Sequence, residues 1–399
     1  MQMGYAVTDT INAILSSWGA NRNVLLYGPP ATGKTRLISE LFARLSTPPE
    51  AHRGIILDAT NAAEPFSRPK QEITIPQPIK VVWTTFHQSY GYEDFVLGLR
   101  PEMTDNGIRL QPWAGVFLDA AFELADAESK YKSVVIFIDE INRGNAARIF
   151  GEFLTFLDFD YRDSGAVPLP LPLRQLTYKD GHSEKIHRSG GKTTTIPEGF
   201  MFPKHVYIVS TMNSVDRAAV PIDSALARRF DRIEMRPNLD ALAAHWNLEK
   251  EALSKATKDN WETLSPFEAS YLLLERLNIT IASDLGTEFE LGHCLLMPVL
   301  ATKTSDDGAT QPVEERDAWY SLAKIWDDVL FPQLEDRYSG RHEQLMELLH
   351  VDNAPANGGY AWTLRTTMGG TIPARTLAPV RVSELDIDVI KRSFSWLAR

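Results

Sequence analysis

The chain has 399 residues, 44% of them hydrophobic, with a net charge of −11 and a single cysteine, Cys294. That length allows about two or three domains with sizeable cores. One cysteine excludes an intrachain disulfide framework and fits a reducing compartment, and the acidic balance argues against a broad nucleic-acid footprint on the outer surface. No apolar run reaches membrane-spanning length. The start, Met1-Gln2-Met3-Gly4-Tyr5, lacks the basic flank and apolar stretch of a signal peptide, so a cytoplasmic protein with no membrane association is expected.

In chain order, the first predicted strand is Val24-Leu25-Leu26-Tyr27, followed by Gly28-Pro29-Pro30-Ala31-Thr32-Gly33-Lys34-Thr35 and then an amphipathic helix through Phe42. The run fits G-x-x-x-x-G-K-[ST] without a gap. Strand, glycine loop and helix are the context in which that pattern cradles phosphates on backbone N–H groups. The expected cradle is Gly28, Pro29, Pro30, Ala31, Thr32, Gly33, Lys34 and Thr35, with Arg36 next on the helix. Lys34 reaches the β/γ-phosphates and Thr35 ligates Mg²⁺ in such a site. A nucleoside triphosphate is therefore the expected ligand.

Residues 48–80, rich in proline and polar residues, read as a long surface excursion. Gly98 to Val116 reads as a hairpin interrupting a helix, with Asp105-Asn106-Gly107 as its turn. Val134-Val135-Ile136-Phe137-Ile138-Asp139-Glu140 is a continuous apolar run ending in two acids, the signature of a strand buried on both faces of a parallel sheet. Ligands bind at the carboxyl ends of such strands. That position assigns Asp139 to the Mg²⁺ shell and Glu140 to the attacking water.

Residues 160–204 form another excursion, whose stretch from Tyr178 to Lys192 is basic and reads as a solvated loop. His182 and His187 lack metal-ligand spacing. The strand His205–Thr211 leads into Met212-Asn213-Ser214-Val215-Asp216-Arg217, which places the polar Asn213 at its tip, near the γ-phosphate. In the next predicted helix Ala225, Leu226 and Phe230 pack inward and leave Arg228 and Arg229 at its end. An arginine reaching a neighbouring subunit's nucleotide is worth ~10³–10⁵ in rate. Beyond residue 236 the pattern turns helical over Leu239–Ala256, Pro266–Leu277 and Ala318–Leu349, with Trp319, Trp326 and Phe331 as core. Asn353 to Gly370 reads as a linker plus hairpin, and Val380 to Leu397 as a strand and short helix.

Four stretches together resemble the McrB-type AAA+ motors of modification-dependent restriction systems, within the MoxR/McrB branch: the phosphate loop, Phe137–Asn145, Met212–Arg217 and Asp223–Phe230. Thr85–Phe95, Leu291-Gly292-His293 and Trp326–Leu334 extend the resemblance over about residues 20–350. The Met-Asn-x-x-Asp-Arg run discriminates most. The resemblance implies an α/β fold, an AAA+ P-loop NTPase with a parallel-sheet αβα core over 1–235, a helical lid over 236–352, and a small extension over 353–399. It implies a catalytic loop carrying Asn213 and Asp216, Mg²⁺ with GTP favoured over ATP, a homohexamer, and a McrC-like nuclease subunit. Asp58, Glu64 and Lys70 are too loosely spaced to form a nuclease site in this chain.

Two departures from the family's pattern are Ala31, where many relatives have glycine, and Cys294, where they often have serine. Only about twenty residues precede the first strand, so DNA is expected to engage through the complex, not through a dedicated domain here. A MoxR-like ATP-driven chaperone and a nucleotide-gated scaffold are the competing readings. The intact Lys34, Glu140 and Arg229 argue against the scaffold.

Overall fold

The computed structural model describes residues 2–46, 75–104, 107–176, 184–196, 199–216, 220–249, 253, 263–299, 302–304, 310–353, 359–368 and 373–398. Asp58, Glu64, Lys70, the Asp105-Asn106 turn, His182 and Arg217 lie outside the described residues. The chain divides into two compact units. One comprises Val7–Gly28 and Lys34–Met235; the other comprises Met1–Ala6, Pro29–Gly33 and Arg236–Arg399.

The first unit is built on a five-stranded sheet, preceded by helix α1 (Gln2–Ala20). Its strands are β1 (Asn23–Gly28), β2 (Ile79–Thr85), β5 (Ser133–Asp139), β8 (Val206–Asn213) and β9 (Asp231–Glu234). Their order is β2-β5-β8-β1-β9, with every pairing parallel. Val134 to Ile138 are all fully buried, because successive side chains point to opposite faces and both faces are covered. Ile136, Ile138 and Ile208 face one core with Phe117 and Phe150. Val135, Phe137 and Val209 face the other, with Trp18 of α1 and with Leu37 and Leu41 of α2 (Lys34–Ser46). The α/β P-loop fold read from the sequence is the fold observed.

The hairpin expected near 98–116 consists of β3 (Leu97–Thr104) and β4 (Gly107–Ala114), paired antiparallel with Thr104 opposite Gly107. It sits between the helical turn α3 (Tyr92–Phe95) and helix α4 (Val116–Ala125). The second excursion adds β6 (Ile186–His187) and β7 (Thr193–Thr194), giving a separate sheet in the order β3-β4-β6-β7. Trp113 on β4 stacks on His187 with ring centroids 4.9 Å apart.

The basic stretch before Lys192 is therefore not a wholly solvated loop. The side chain of Arg188 is only 3% exposed, with Nε 2.8 Å from Asp119 and Nη2 2.9 Å from Glu123, both on α4. Lys80 Nζ approaches the same Glu123 at 3.0 Å, and Ser189 Oγ donates to Asp119 at 2.6 Å. A buried guanidinium is tolerated where charged, hydrogen-bonded partners meet it.

The second unit is helical. Helix Pro266–Asp284 opens with a capping box in which Ser265 Oγ accepts from Glu268 N and Glu268 accepts from Ser265 N at 2.8 Å, with proline at the first helical position. Its Leu273, Leu277 and Ile281 share one buried core with Trp319, Leu322, Trp326 and Leu334. Trp362, Ile390, Phe394 and Leu397, all from the segment 353–399, belong to that same core. Among the described residues no helix is long and apolar enough to cross a membrane.

The Arg188 cluster yields a signed pH prediction. Burial pushes the Glu123 carboxyl up, but hydrogen bonds from Lys80 and Ser129 and the charges of Lys80 and Lys192 outweigh it and hold it at about 2. A depressed carboxyl stabilises the fold fully above its ordinary value of 4.5 and loses that contribution as pH falls toward 2. Glu123→Gln is expected to lower the melting temperature at pH 7 and to flatten its decline between pH 4.5 and 3. Melts of both proteins across that range check this, and parallel curves would contradict it.

Candidate active site

The phosphate loop is shaped by close backbone approaches. Gly28 has φ +148°, and a Cβ there would lie 2.3 Å from the Met235 carbonyl oxygen, so glycine is required. Ala31 adopts a left-handed φ of +59°, unusual for a residue with a side chain. Thr32 Oγ1 donates to Pro29 O at 3.1 Å inside the loop. Lys34, 6% exposed, donates from Nζ to Gly28 O at 3.0 Å. Burial lowers its amine to about 8 against the opposing pull of Glu140 and Asp139. Thr35 and Arg36 are exposed on the first turn of α2.

The second cluster forms where β5 and β8 end. Thr211 Oγ1 donates to Asp139 Oδ1 at 2.5 Å and accepts from the backbone N of Glu140 at 3.1 Å. Glu140 sits just past β5 with a left-handed φ of +55°, a costly conformation that persists at functional sites when its surroundings over-determine it. Asn213 Nδ2 donates to Glu140 Oε1. Glu140 Oε2 is buried, has no hydrogen bond among the described residues, and faces Arg143 Nε at 3.8 Å. Burial and the neighbouring Asp139 push the Glu140 carboxyl up; Arg143 and Lys34 oppose them, and Asp216 adds to the rise.

Arg143, on the turn after Glu140, also pairs with Asp216 at 2.5 Å, and Asn142 Nδ2 donates to Asn213 O at 3.0 Å. Lys34, Asp139, Glu140, Asn213 and Asp216, singled out from scattered segments, therefore form one charged network. Sequence reasoning missed Thr211, Asn142 and Arg143. The available signals were a polar residue at a strand's carboxyl end and a cation three residues after a buried acid.

The two arginines separate. Arg229 is held by Asp158 at 2.9 Å and by Ala225 O at 2.8 Å, and its own carbonyl accepts from Asn23 at 3.0 Å. Arg228 is exposed and has no ion-pair partner among the described residues. Neither joins the Glu140 network.

Among the described residues no group of three or more His, Cys, Asp or Glu gathers as a metal site. The Thr35 hydroxyl and the Asp139 carboxylate are hard oxygen donors, of the kind that fits a nucleotide-bound Mg²⁺ whose other ligands are phosphate and water.

Residues 76–230 match the AAA domain of the dynein-related subfamily. Over 302 residues the chain is 30% identical to the McrB subunit of the type IV methyl-directed restriction enzyme of Escherichia coli K12, covering 75% of this chain and 52% of that protein. Over 240 residues it is 24% identical to the YdiS component of the type II restriction enzyme BsuMI of Bacillus subtilis, covering 57% of this chain and 61% of that one. The chain is an AAA+ NTP hydrolase similar to the McrB subunit over three quarters of its length. It spans a little over half the length of these curated relatives. The family-model match begins downstream of the phosphate loop, so that loop rests on its own motif and geometry.

If the Arg143–Asp216 pair holds the McrB-type loop against Glu140, breaking it should cost turnover and spare binding. Arg143→Ala is expected to lower hydrolysis at least ten-fold with nucleotide affinity within two-fold of wild type. The charge-swapped double variant Arg143→Asp, Asp216→Arg should recover part of that loss. Steady-state turnover with a parallel binding titration checks it, and a wild-type rate for Arg143→Ala would refute it.

Proposed function

We propose that this chain is the motor subunit of a McrBC-like, modification-dependent restriction complex in anti-phage defence. It hydrolyses GTP in preference to ATP, assembles as a homohexamer, and drives DNA for a separate McrC-like nuclease subunit. The observation that carries the hydrolytic reading is the Glu140 carboxylate, fixed through one oxygen by Asn213 and left with its other oxygen unbonded beside Arg143. The restriction role is supported by the two relatives, each a component of a restriction enzyme. The GTP preference rests on the Met-Asn-x-x-Asp-Arg resemblance.

In this mechanism the loop N–H groups and Lys34 bind the β/γ-phosphates. Thr35 and Asp139 would hold Mg²⁺, which would supply positive charge against the charge building on the phosphates. Glu140 Oε2 orients the attacking water and polarises it, while Asn213 keeps the carboxylate in place. Asp216, paired with Arg143, positions the catalytic loop. Arg228 reaches the neighbouring subunit's nucleotide and stabilises transition-state charge; Arg229 holds the helix end that presents it.

A single set of measurements tests this. Glu140→Gln is expected to bind GTP at least ten-fold tighter than ATP and to hydrolyse neither, and Lys34→Ala to bind neither. Arg228→Ala should keep binding and stability but hydrolyse at least a hundred-fold more slowly. Mixing it with Glu140→Gln subunits, which retain the arginine, should restore activity. Absence of rescue would sink the role in trans, and a clear ATP preference would favour the MoxR-like chaperone reading.

A further inference from the structure

The turn Leu291–Cys294 lies directly on the phosphate loop. Pro29–Gly33 and this turn belong to the same compact unit. Gly292 has an ordinary extended backbone, φ −68° and ψ 142°, so its lack of a side chain answers a need for space. A Cβ there would lie 2.2 Å from Pro30 O and 2.3 Å from both Ala31 C and Ala31 O. Two residues on, Cys294 N donates to Ala31 O at 3.0 Å.

The turn is itself braced from three sides. Asn278 donates to Leu291 O at 2.9 Å and accepts from Leu291 N at 2.7 Å. His293 Nδ1 accepts from Asn238 N at 3.1 Å. Arg236 pairs with Glu290 at 3.0 Å, and Arg337 donates to Phe289 O at 2.8 Å.

A trans peptide points its C=O and the following N–H in opposite directions. Fixing Ala31 O on the Cys294 amide therefore turns the Thr32 N–H away from the turn, where it can meet a phosphate. Ala31 is also the left-handed residue of the loop that carries a side chain, a conformation that a residue with a Cβ keeps only under outside constraint. We propose that the Leu291–Cys294 turn is a positioning element of the phosphate loop, which holds Ala31 left-handed and sets the direction of the Ala31–Thr32 peptide, so that triphosphate affinity depends on it. This rests on the reading of the loop as the nucleotide site.

The test is titration of fluorescent GTP and ATP into wild type, Gly292→Ala and Lys34→Ala, with melting of each protein without nucleotide. Gly292→Ala is expected to bind the preferred triphosphate at least ten-fold more weakly than wild type at an unchanged melting temperature. Wild-type affinity in Gly292→Ala overturns the proposal and leaves the functional reading intact. Failure of wild type to bind either nucleotide overturns the functional reading itself.

Should Gly292→Ala melt early, the wild-type chain decides. Cys294 is its single cysteine, and its Sγ lies 3.9 Å from where a Gly33 Cβ would stand. Saturating triphosphate is expected to slow iodoacetamide alkylation of Cys294 at least five-fold, and the alkylated protein to bind at least ten-fold more weakly. An unchanged alkylation rate or an unchanged affinity overturns the proposal.

Discussion

Three adjacent buried parallel strands that end along the same edge of one sheet are the constraint on which the rest of this molecule depends. The register places Gly28 at the end of β1 beside Asn213 at the end of β8, and Ile138 of β5 beside Ser210 of β8. Strands covered on both faces are largely apolar within the sheet and carry charged side chains where they leave it, and here β1, β5 and β8 leave it side by side. A lysine from one exit, two carboxylates from another and an amide from the third are thereby brought together without any local sequence relation. Thr211 strengthens the junction: its hydroxyl touches both the Asp139 carboxylate and the Glu140 amide.

The site's charges are balanced against burial. Burial alone disfavours both the Lys34 ammonium and the Glu140 carboxylate, and each partly restores the other. A pair of this kind is costly to break, since either partner alone leaves an uncompensated buried charge. The left-handed backbone at Glu140 adds about 1–2 kcal/mol of strain, withstood because its amide N–H donates a hydrogen bond to Thr211 and its carboxylate accepts one from Asn213, which define the residue from both ends. Arg143 extends the balance outward, its guanidinium shared between Glu140 and Asp216. Two acids that repel each other are thus held by one cation between them.

How much of this was legible in the sequence follows from the range of the forces involved. The phosphate loop and the β5 run were legible, because each is a local pattern: a fixed glycine-lysine spacing, and an apolar stretch too long for a half-exposed strand. The hairpin of β3 and β4 was legible for the same reason. Its union with residues 186–194 was not, since the Trp113–His187 stack joins positions far apart in the chain, and a lone tryptophan and histidine carry no periodic signal. Arg188 read as one more basic residue of a solvated loop; only folding brings Asp119 and Glu123 of α4 and Lys80 of β2 around it. Arg228 and Arg229 were indistinguishable as neighbours of one type, and the discriminating partner, Asp158, lies on a different segment. The tail showed the same limit: Trp362 and Phe394 were plain apolar residues until they met Trp326.

Glycine shows most clearly that a residue type can be read without its reason. Gly28 needs both its positive φ and its empty Cβ position, while Gly292 has a backbone open to any residue and is glycine only because another backbone lies against it. The distinction bears on how the phosphate loop keeps its shape. A loop whose N–H groups must remain free for a ligand cannot spend them on its own hydrogen bonds. One bond within this loop runs from a side-chain hydroxyl, Thr32 to Pro29 O. Two outside backbones also press on it: the Met235 carbonyl at Gly28, and the Cys294 amide at Ala31. An alanine at the left-handed position 31 fits that arrangement, because a loop held from outside does not need every backbone position to be glycine.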